Sequence, residues 1–381
     1  MTRREFALFP AAGMRLPEVR SSLGFSPDCF AVSRPPRTPL EYLQRAQQTG
    51  AGGVQAVLDP ASSTPEYCEQ VRAFLEQSGM WLEITTRLPG EDTSAFEAAV
   101  RAAKECGAYC MRSVCLGGRR YETFHDLQSW KAFVSDAKAR LARAAAIMEK
   151  HKFPLGIENH KDWTIEEMAP LLKSYSSPYL GACIDFGNNM ALLDDPNELI
   201  DALAPFVINT HIKDMAVEEC EDGFLISEVA LGRGILDLKR SVRILNQARP
   251  GVKYSLDMLT RDPLHIPCLK PSYWVTFPER NGKHLAAMLS LVRSRKPARP
   301  LLRLTALPLE EQLRAEVRRQ MESRGYVYDP ADPDLRVNLN AFVEEKADIV
   351  RNAVDLAHAF GVGRPRVAIL REQGVNSQYE M

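Results

Sequence analysis

The chain has 381 residues, 45% of them hydrophobic and 25% charged, and its 48 basic side chains face 49 acidic ones for a net charge of −1. This is the composition of an ordinary globular protein, long enough for one large domain and an appendage. Such a balance supplies no long-range field for nucleic acid or an anionic membrane, and no apolar run reaches membrane-spanning length.

At the start, Thr2-Arg3-Arg4-Glu5-Phe6 has the look of a twin-arginine export motif, but the apolar stretch behind it is broken at Pro10 and ends at Gly13. An export signal needs a longer apolar region. The expectation is a cytoplasmic protein with residues 1–20 as an N-terminal segment, export through a degenerate signal being the alternative. Eight cysteines (29, 68, 106, 110, 115, 183, 220 and 268) include no CxxC pair, and several lie inside apolar runs. They read as reduced core residues, not as zinc-ribbon or disulfide partners.

Eight strand candidates follow at 21–26, 53–58, 80–85, 109–115, 154–159, 180–186, 206–212 and 253–259. They are short and continuously apolar, as suits parallel strands covered on both faces. Amphipathic helices are expected at 40–49, 65–78, 93–106, 126–152, 164–174, 197–203, 236–247 and 280–295. Pro65 just inside a helix start, the Thr164…Glu167 spacing of a capping box, and Gly79 and Gly107 at helix ends support them. Eight βα units predict a (β/α)8 TIM barrel over 21–295, with an open doubly wound sheet as the structural alternative. The last unit carries a long loop before the eighth strand. The segment 267–277, with Tyr273 and Trp274, reads as a lid or a subunit contact, which leaves a homo-oligomer open. The stretch Arg293–Arg303 is rich in Arg and Pro and reads as a linker. Residues 296–381 are expected to hold that linker and a mostly helical extension of unknown role. Within that tail, short stretches resemble phosphate acyltransferases and the glutaminase portion of phosphoribosylformylglycinamidine synthase, without a catalytic residue of either.

Four successive strands end in metal-binding side chains: Glu158, Asp185, His211 and Asp257. Parallel strands closed into a barrel bring such ends to one rim, and two carboxylates, an imidazole and a third carboxylate suit a divalent ion. Singly, each residue has an ordinary reading as a rim ion pair, an Asx turn or a core histidine. Together they point to a site. Period-two alternation puts Asn209, His211 and Lys213 on one side of their strand. Lys213 is a candidate holder of a substrate oxyanion, or else an ion-pair partner of Asp214. Asn188 and Asn189 are either substrate contacts or turn residues. Glu228 and Arg233 sit in the long loop around Gly232 and Gly234, where the glycines suggest close backbone approach to a ligand and Arg233 is either a substrate contact or a solvent-exposed loop arginine. Asp257 has Arg261 as an alternative partner.

The motifs Gly156-Ile-Glu-Asn159, Ile184-Asp-Phe-Gly-Asn188, Thr210-His-Ile-Lys-Asp214, Leu231-Gly-Arg-Gly234 and Tyr254-Ser-Leu-Asp257 resemble the xylose isomerase-like TIM-barrel superfamily, in its sugar phosphate isomerase/epimerase branch. The resemblance implies one divalent metal (Mn, Mg, Co, Zn or Fe) on Glu158, Asp185, His211 and Asp257. It also implies proton transfer by Glu158 and Asp257 on a small sugar or polyol, around which Asn188, Lys213, Arg233 and Glu228 are the candidate contacts. The sequence departs from the family at Asp257, where Glu is usual, and at Asn188, where many epimerases have His. The expected activity is isomerisation or epimerisation of a ketose through an enediolate, with no nucleic acid or membrane partner. A lyase, dehydratase or keto-glycoside-cleaving enzyme is the alternative, followed by an apurinic endonuclease or a non-catalytic sugar-binding relative.

Overall fold

A computed structural model describes residues 21–30, 36–259, 261–295, 297, 300 and 301. The N-terminal segment, and all but three positions of the expected extension, lie outside the described residues. The eight barrel strands are β1 (Leu23–Phe25), β2 (Gly53–Val57), β3 (Trp81–Thr85), β4 (Cys110–Ser113), β5 (Leu155–Glu158), β6 (Leu180–Asp185), β7 (Val207–Ile212) and β10 (Tyr254–Leu256). Each pairs in parallel with its neighbours, and β1 joins both β2 and β10 to close the ring. The expected (β/α)8 barrel is what forms.

The helices are α1 (Pro39–Gln48), α2 (Pro65–Ser78), α3 (Ser94–Glu105), α4 (Arg120–Thr123), α5 (Leu127–His151), α6 (Ile165–Tyr175), α7 (Pro196–Leu203), α8 (Leu238–Ala248) and α9 (Gly282–Ser294). Their starts have chemical causes. Thr64 accepts from Tyr67 N, Asp126 from Ser129 N and Asp237 from Arg240 N, and Thr164 with Glu167 completes a capping box. Gly79 takes the left-handed conformation, φ 67°, that ends α2.

Residues 214–229 are not a loop. They form an antiparallel hairpin of β8 (Asp214–Cys220) and β9 (Gly223–Val229), and β11 (Leu264–Ile266) adds to its edge. The reason is visible in the alternation of Met215 and Val217 with Phe224 and Ile226, all buried, around the tight turn Glu221-Asp222. This sheet packs with Tyr273, Phe277, Met288 and Val292 into a second apolar cluster beside the barrel core. The segment read as a lid is part of that cluster. Tyr273 is buried and donates to Ala191 O at 2.9 Å. The buried Arg120 guanidinium lies 3.7 Å from the Trp130 ring and 4.2 Å from that of Phe277, which fastens the segment to α5.

All eight cysteines are free, six of them buried. No helix among the described residues is long and apolar enough to cross a membrane.

Candidate functional site

Register decides which side chains meet. On β6 and β7, Ala182 pairs with Val207 but Cys183 pairs with Asn209, so Ile208 is an extra residue that bulges β7. The bulge sets Asp185 level with His211, and His211 in turn pairs with Ser255 of β10. His211 Nδ1 then lies 3.3 Å from Glu158 Oε2, 3.6 Å from Asp257 Oδ2 and 4.0 Å from Asp185 Oδ2. Glu158, Asp185 and His211 have ligand atoms all within 4.8 Å of one another, and Asp257 stands just outside that group. The shorter aspartate is drawn instead to Lys213, at 2.6 Å, and accepts from Ser26 Oγ at 2.9 Å.

Two cations neutralise these carboxylates. Arg112, from the end of β4, donates from Nε and Nη2 to Glu158 Oε2, and its Nη1 reaches Thr85 Oγ1 at 3.2 Å. Asn188 Nδ2 donates to the other oxygen, Glu158 Oε1, at 3.0 Å. Lys213 Nζ sits 2.8 Å from Asp185 Oδ2 as well as against Asp257. Burial alone would raise the carboxyl of Glu158, but Arg112 and His211 outweigh it and hold the group well below the usual range. Asp257 is likewise held down, against its burial, by Lys213 and His211. Asp185, fully buried, is pushed up by burial despite Lys213. Burial would lower the His211 imidazole, but Glu158 and Asp257 lift it to about 9.

The far nitrogen, His211 Nε2, lies 2.9 Å from Gln55 Nε2, and Gln55 also contacts the buried Glu83. Tyr109 donates to Glu83 Oε2 at 3.0 Å. Metal ligation through Nδ1 requires the proton on Nε2, and so the amide oxygen of Gln55 turned toward the ring. Burial raises the carboxyl of Glu83, against the lowering effect of His211 and Gln55.

The other expected substrate residues divide. Lys213 is in the cluster, but it pairs with Asp185 and Asp257 and not with Asp214. Asn188 is there too, as a brace for Glu158. Asn189 is a turn residue bonded to Trp163 O and Asp194. Glu228, on β9, is bound by Arg261 at 2.6 Å, so Arg261 is not the partner of Asp257. Arg233 is exposed. The glycines beside it turn their backbone N–H groups to Asp214. Gly232 N and Gly234 N donate to Asp214 Oδ2 at 2.9 and 2.8 Å, and a β-carbon on Gly234 would collide with that carboxylate.

Residues 43–272 match the family model described as xylose isomerase-like TIM barrel. The chain belongs to that family. Within it, the chain is 30% identical over 228 residues to the 3-oxo-isoapionate decarboxylase of Pectobacterium atrosepticum, across 57% of this chain and 78% of the relative. Among solved structures it is similar to a 3-keto-D-glucoside 4-epimerase from E. coli (12% identity, 72% of this chain and 99% of the other, TM-score 0.49). It is also similar to a xylose isomerase-like TIM barrel protein from Mycobacterium smegmatis in complex with magnesium (14%, 68% and 88%, TM-score 0.46).

The donor set of this xylose isomerase-like barrel fits a divalent ion on its own chemistry. Among the described residues Asp185 Oδ2 meets only the Lys213 ammonium, and His211 Nδ1 meets only carboxylate oxygens at 3.3 to 4.0 Å, both buried beside Glu158. Ligand atoms of two carboxylates and an imidazole gathered this closely, with an ammonium drawn in against Asp185, mark a place that needs positive charge. Sequence reasoning missed Gln55, Glu83, Arg112 and Lys161. The first three are polar residues inside apolar strand runs, the same signal that singled out Glu158.

Proposed function

We propose that the chain is a divalent-metal-dependent lyase that decarboxylates a 3-oxo sugar acid through an enediolate. The observation that carries this reading is the engagement of Glu158, whose oxygens are held by Arg112 on one side and Asn188 on the other. A carboxylate gripped by a guanidinium is a weak base. Moving a proton between neighbouring carbons, the isomerase or epimerase reading, asks Glu158 and Asp257 for that basicity. Decarboxylation of a 3-oxo acid asks for none: the bond to the carboxylate carbon breaks, CO2 leaves, and the electron pair passes to the ketone oxygen.

When bound, a divalent ion on Glu158, Asp185 and His211, with Asp257 nearby, supplies positive charge for that oxygen. Lys213 adds a second positive charge at the same rim. Because Asp257 is so weakly basic beside it, the shared proton resides on Lys213, which can give it to the enediolate carbon and take another from water. Arg112 and Asn188 fix Glu158 so that the ligand group keeps one shape. Similarity to the 3-oxo-isoapionate decarboxylase supports the substrate class. The isomerase or epimerase reading stands second. It is favoured by Asp257, whose side chain is 13% exposed where Glu158, Asp185 and His211 are sealed.

The test is incubation of the Mn2+- or Mg2+-loaded protein with 3-oxo-isoapionate and related 3-oxo acids, and separately with ketoses, in D2O. The proposal expects CO2 and a product carrying one deuterium at the carbon that lost it. Ketose interconversion at conserved mass, with no CO2 from any 3-oxo acid, would replace it with the isomerase reading.

A further inference from the structure

Lys161 lies three residues beyond Glu158 and is absent from the network above. It is 5% exposed, yet its Nζ has no hydrogen-bond or ion-pair partner among the described residues. The other cations of the region are matched: Arg112 by Glu158, Lys213 by Asp185 and Asp257, Arg261 by Glu228, and Arg120 by Glu167. Lys161 stands on the connection from β5 to α6, which leaves the barrel at the Glu158 end and so at the same rim. Burial, and then the like charge of Lys213, push its ammonium down to about 8.

The backbone is bent to put it there. Lys161 has φ 66°, a left-handed conformation that a long L side chain seldom adopts. The bend is held from both sides. Lys161 O accepts from Arg120 N at 3.0 Å. Asp162 follows and accepts from His160 N, Trp163 N and Leu116 N at 3.2, 2.9 and 3.2 Å. A fold that bends its backbone to hold a largely enclosed lysine with no partner beside the candidate site leaves that charge for a ligand.

We infer that Lys161 binds the carboxylate of the substrate, and that it is the residue by which the site selects an acid over a neutral ketose or polyol. The inference rests on the keto-acid reading of the site. It makes Lys161 a specificity-determining residue for that reaction.

The test compares wild type, Lys161→Met and Lys161→Arg in the full chain. The probes are threonate, an aldonate with no 3-oxo group, and threitol, its uncharged counterpart, each titrated calorimetrically into metal-loaded protein. Threonate affinity should fall at least ~30-fold in Lys161→Met and recover most of the way in Lys161→Arg, while threitol binds all three alike. With no internal partner to lose, ligand-free Lys161→Met should melt no lower than wild type, whereas a structural lysine would cost stability. With a 3-oxo acid, KM should rise far more than kcat falls. Equal threonate affinity in wild type and Lys161→Met overturns the inference, even if CO2 release proves the reaction correct. Lysine-dependent threonate binding without CO2 release upholds the anion site and rejects the reaction.

Discussion

Metal binding at this site should release a proton, and its affinity should therefore climb with pH. The group through which pH acts is His211. Without metal the imidazole is buried between Glu158 and Asp257, and those carboxylates hold it protonated up to about 9. A ligand imidazole must be neutral, so below that value each bound ion expels one proton. Affinity then rises about tenfold per pH unit, or roughly 30-fold between pH 7 and 8.5, about 2 kcal/mol. The stability sign runs oppositely for the metal-free protein. A pKa lifted from 6.5 contributes stability that is fully present below 6.5 and lost as pH rises through about 9. Metal-free protein should thus melt lower across that window while metal-loaded protein does not follow. Mn2+ titration calorimetry in two buffers of different ionisation enthalpy counts the protons directly. Lys161 also titrates near 8, so the slope is measured in Lys161→Met as well, where it should persist. Affinity that is flat between pH 7 and 8.5, with no proton released, would refute a charged, ligating His211.

Other expectations follow from single contacts. Arg112→Met leaves Glu158 buried without its guanidinium, which should cost the metal-free protein about 3–5 kcal/mol in urea denaturation, with added Mn2+ restoring more stability than it adds to wild type. Asp214→Ala strips the acceptor from Met215 N, Gly232 N, Gly234 N and Leu236 N, so a loss of about 3 kcal/mol is expected with Mn2+ affinity nearly unchanged; a large fall in affinity would show that the glycine loop serves the metal site after all. Gly156→Ala drives a β-carbon into Asn209 Oδ1 in the barrel interior, and about 1–3 kcal/mol of stability should go with weaker metal binding, both read by thermal melts with and without Mn2+.

Much of this architecture was legible in the sequence because parallel strands bury both faces. The continuous apolar runs therefore located all eight barrel strands, and the residues at or beside their ends named the rim carboxylates and His211. What the sequence hid was pairing. The Ile208 bulge that aligns Asp185 with His211 leaves no compositional trace. Lys213 and Asp214 are adjacent, yet they face opposite duties: Lys213 turns to Asp185 and Asp257, and Asp214 closes the loop of Gly232 and Gly234. Arg112 and Lys161 were hidden for a different reason. Arg112 stands one register step before the end of its strand, and Lys161 needs a backbone conformation that only the fold around Asp162 imposes. The hairpin from Asp214 to Val229 was within reach, since its alternating apolar residues and tight acidic turn are ordinary strand signals.

Glu158, Asp185 and His211, with Asp257 alongside, are expected to share one cation. Anomalous diffraction from crystals grown with Mn2+ tests it most directly. The maps should show a single strong peak bounded by those side chains, with the Lys213 ammonium displaced from Asp185. A site that stays free of Mn2+ at concentrations that support turnover, or a peak bound elsewhere on the chain, would contradict it.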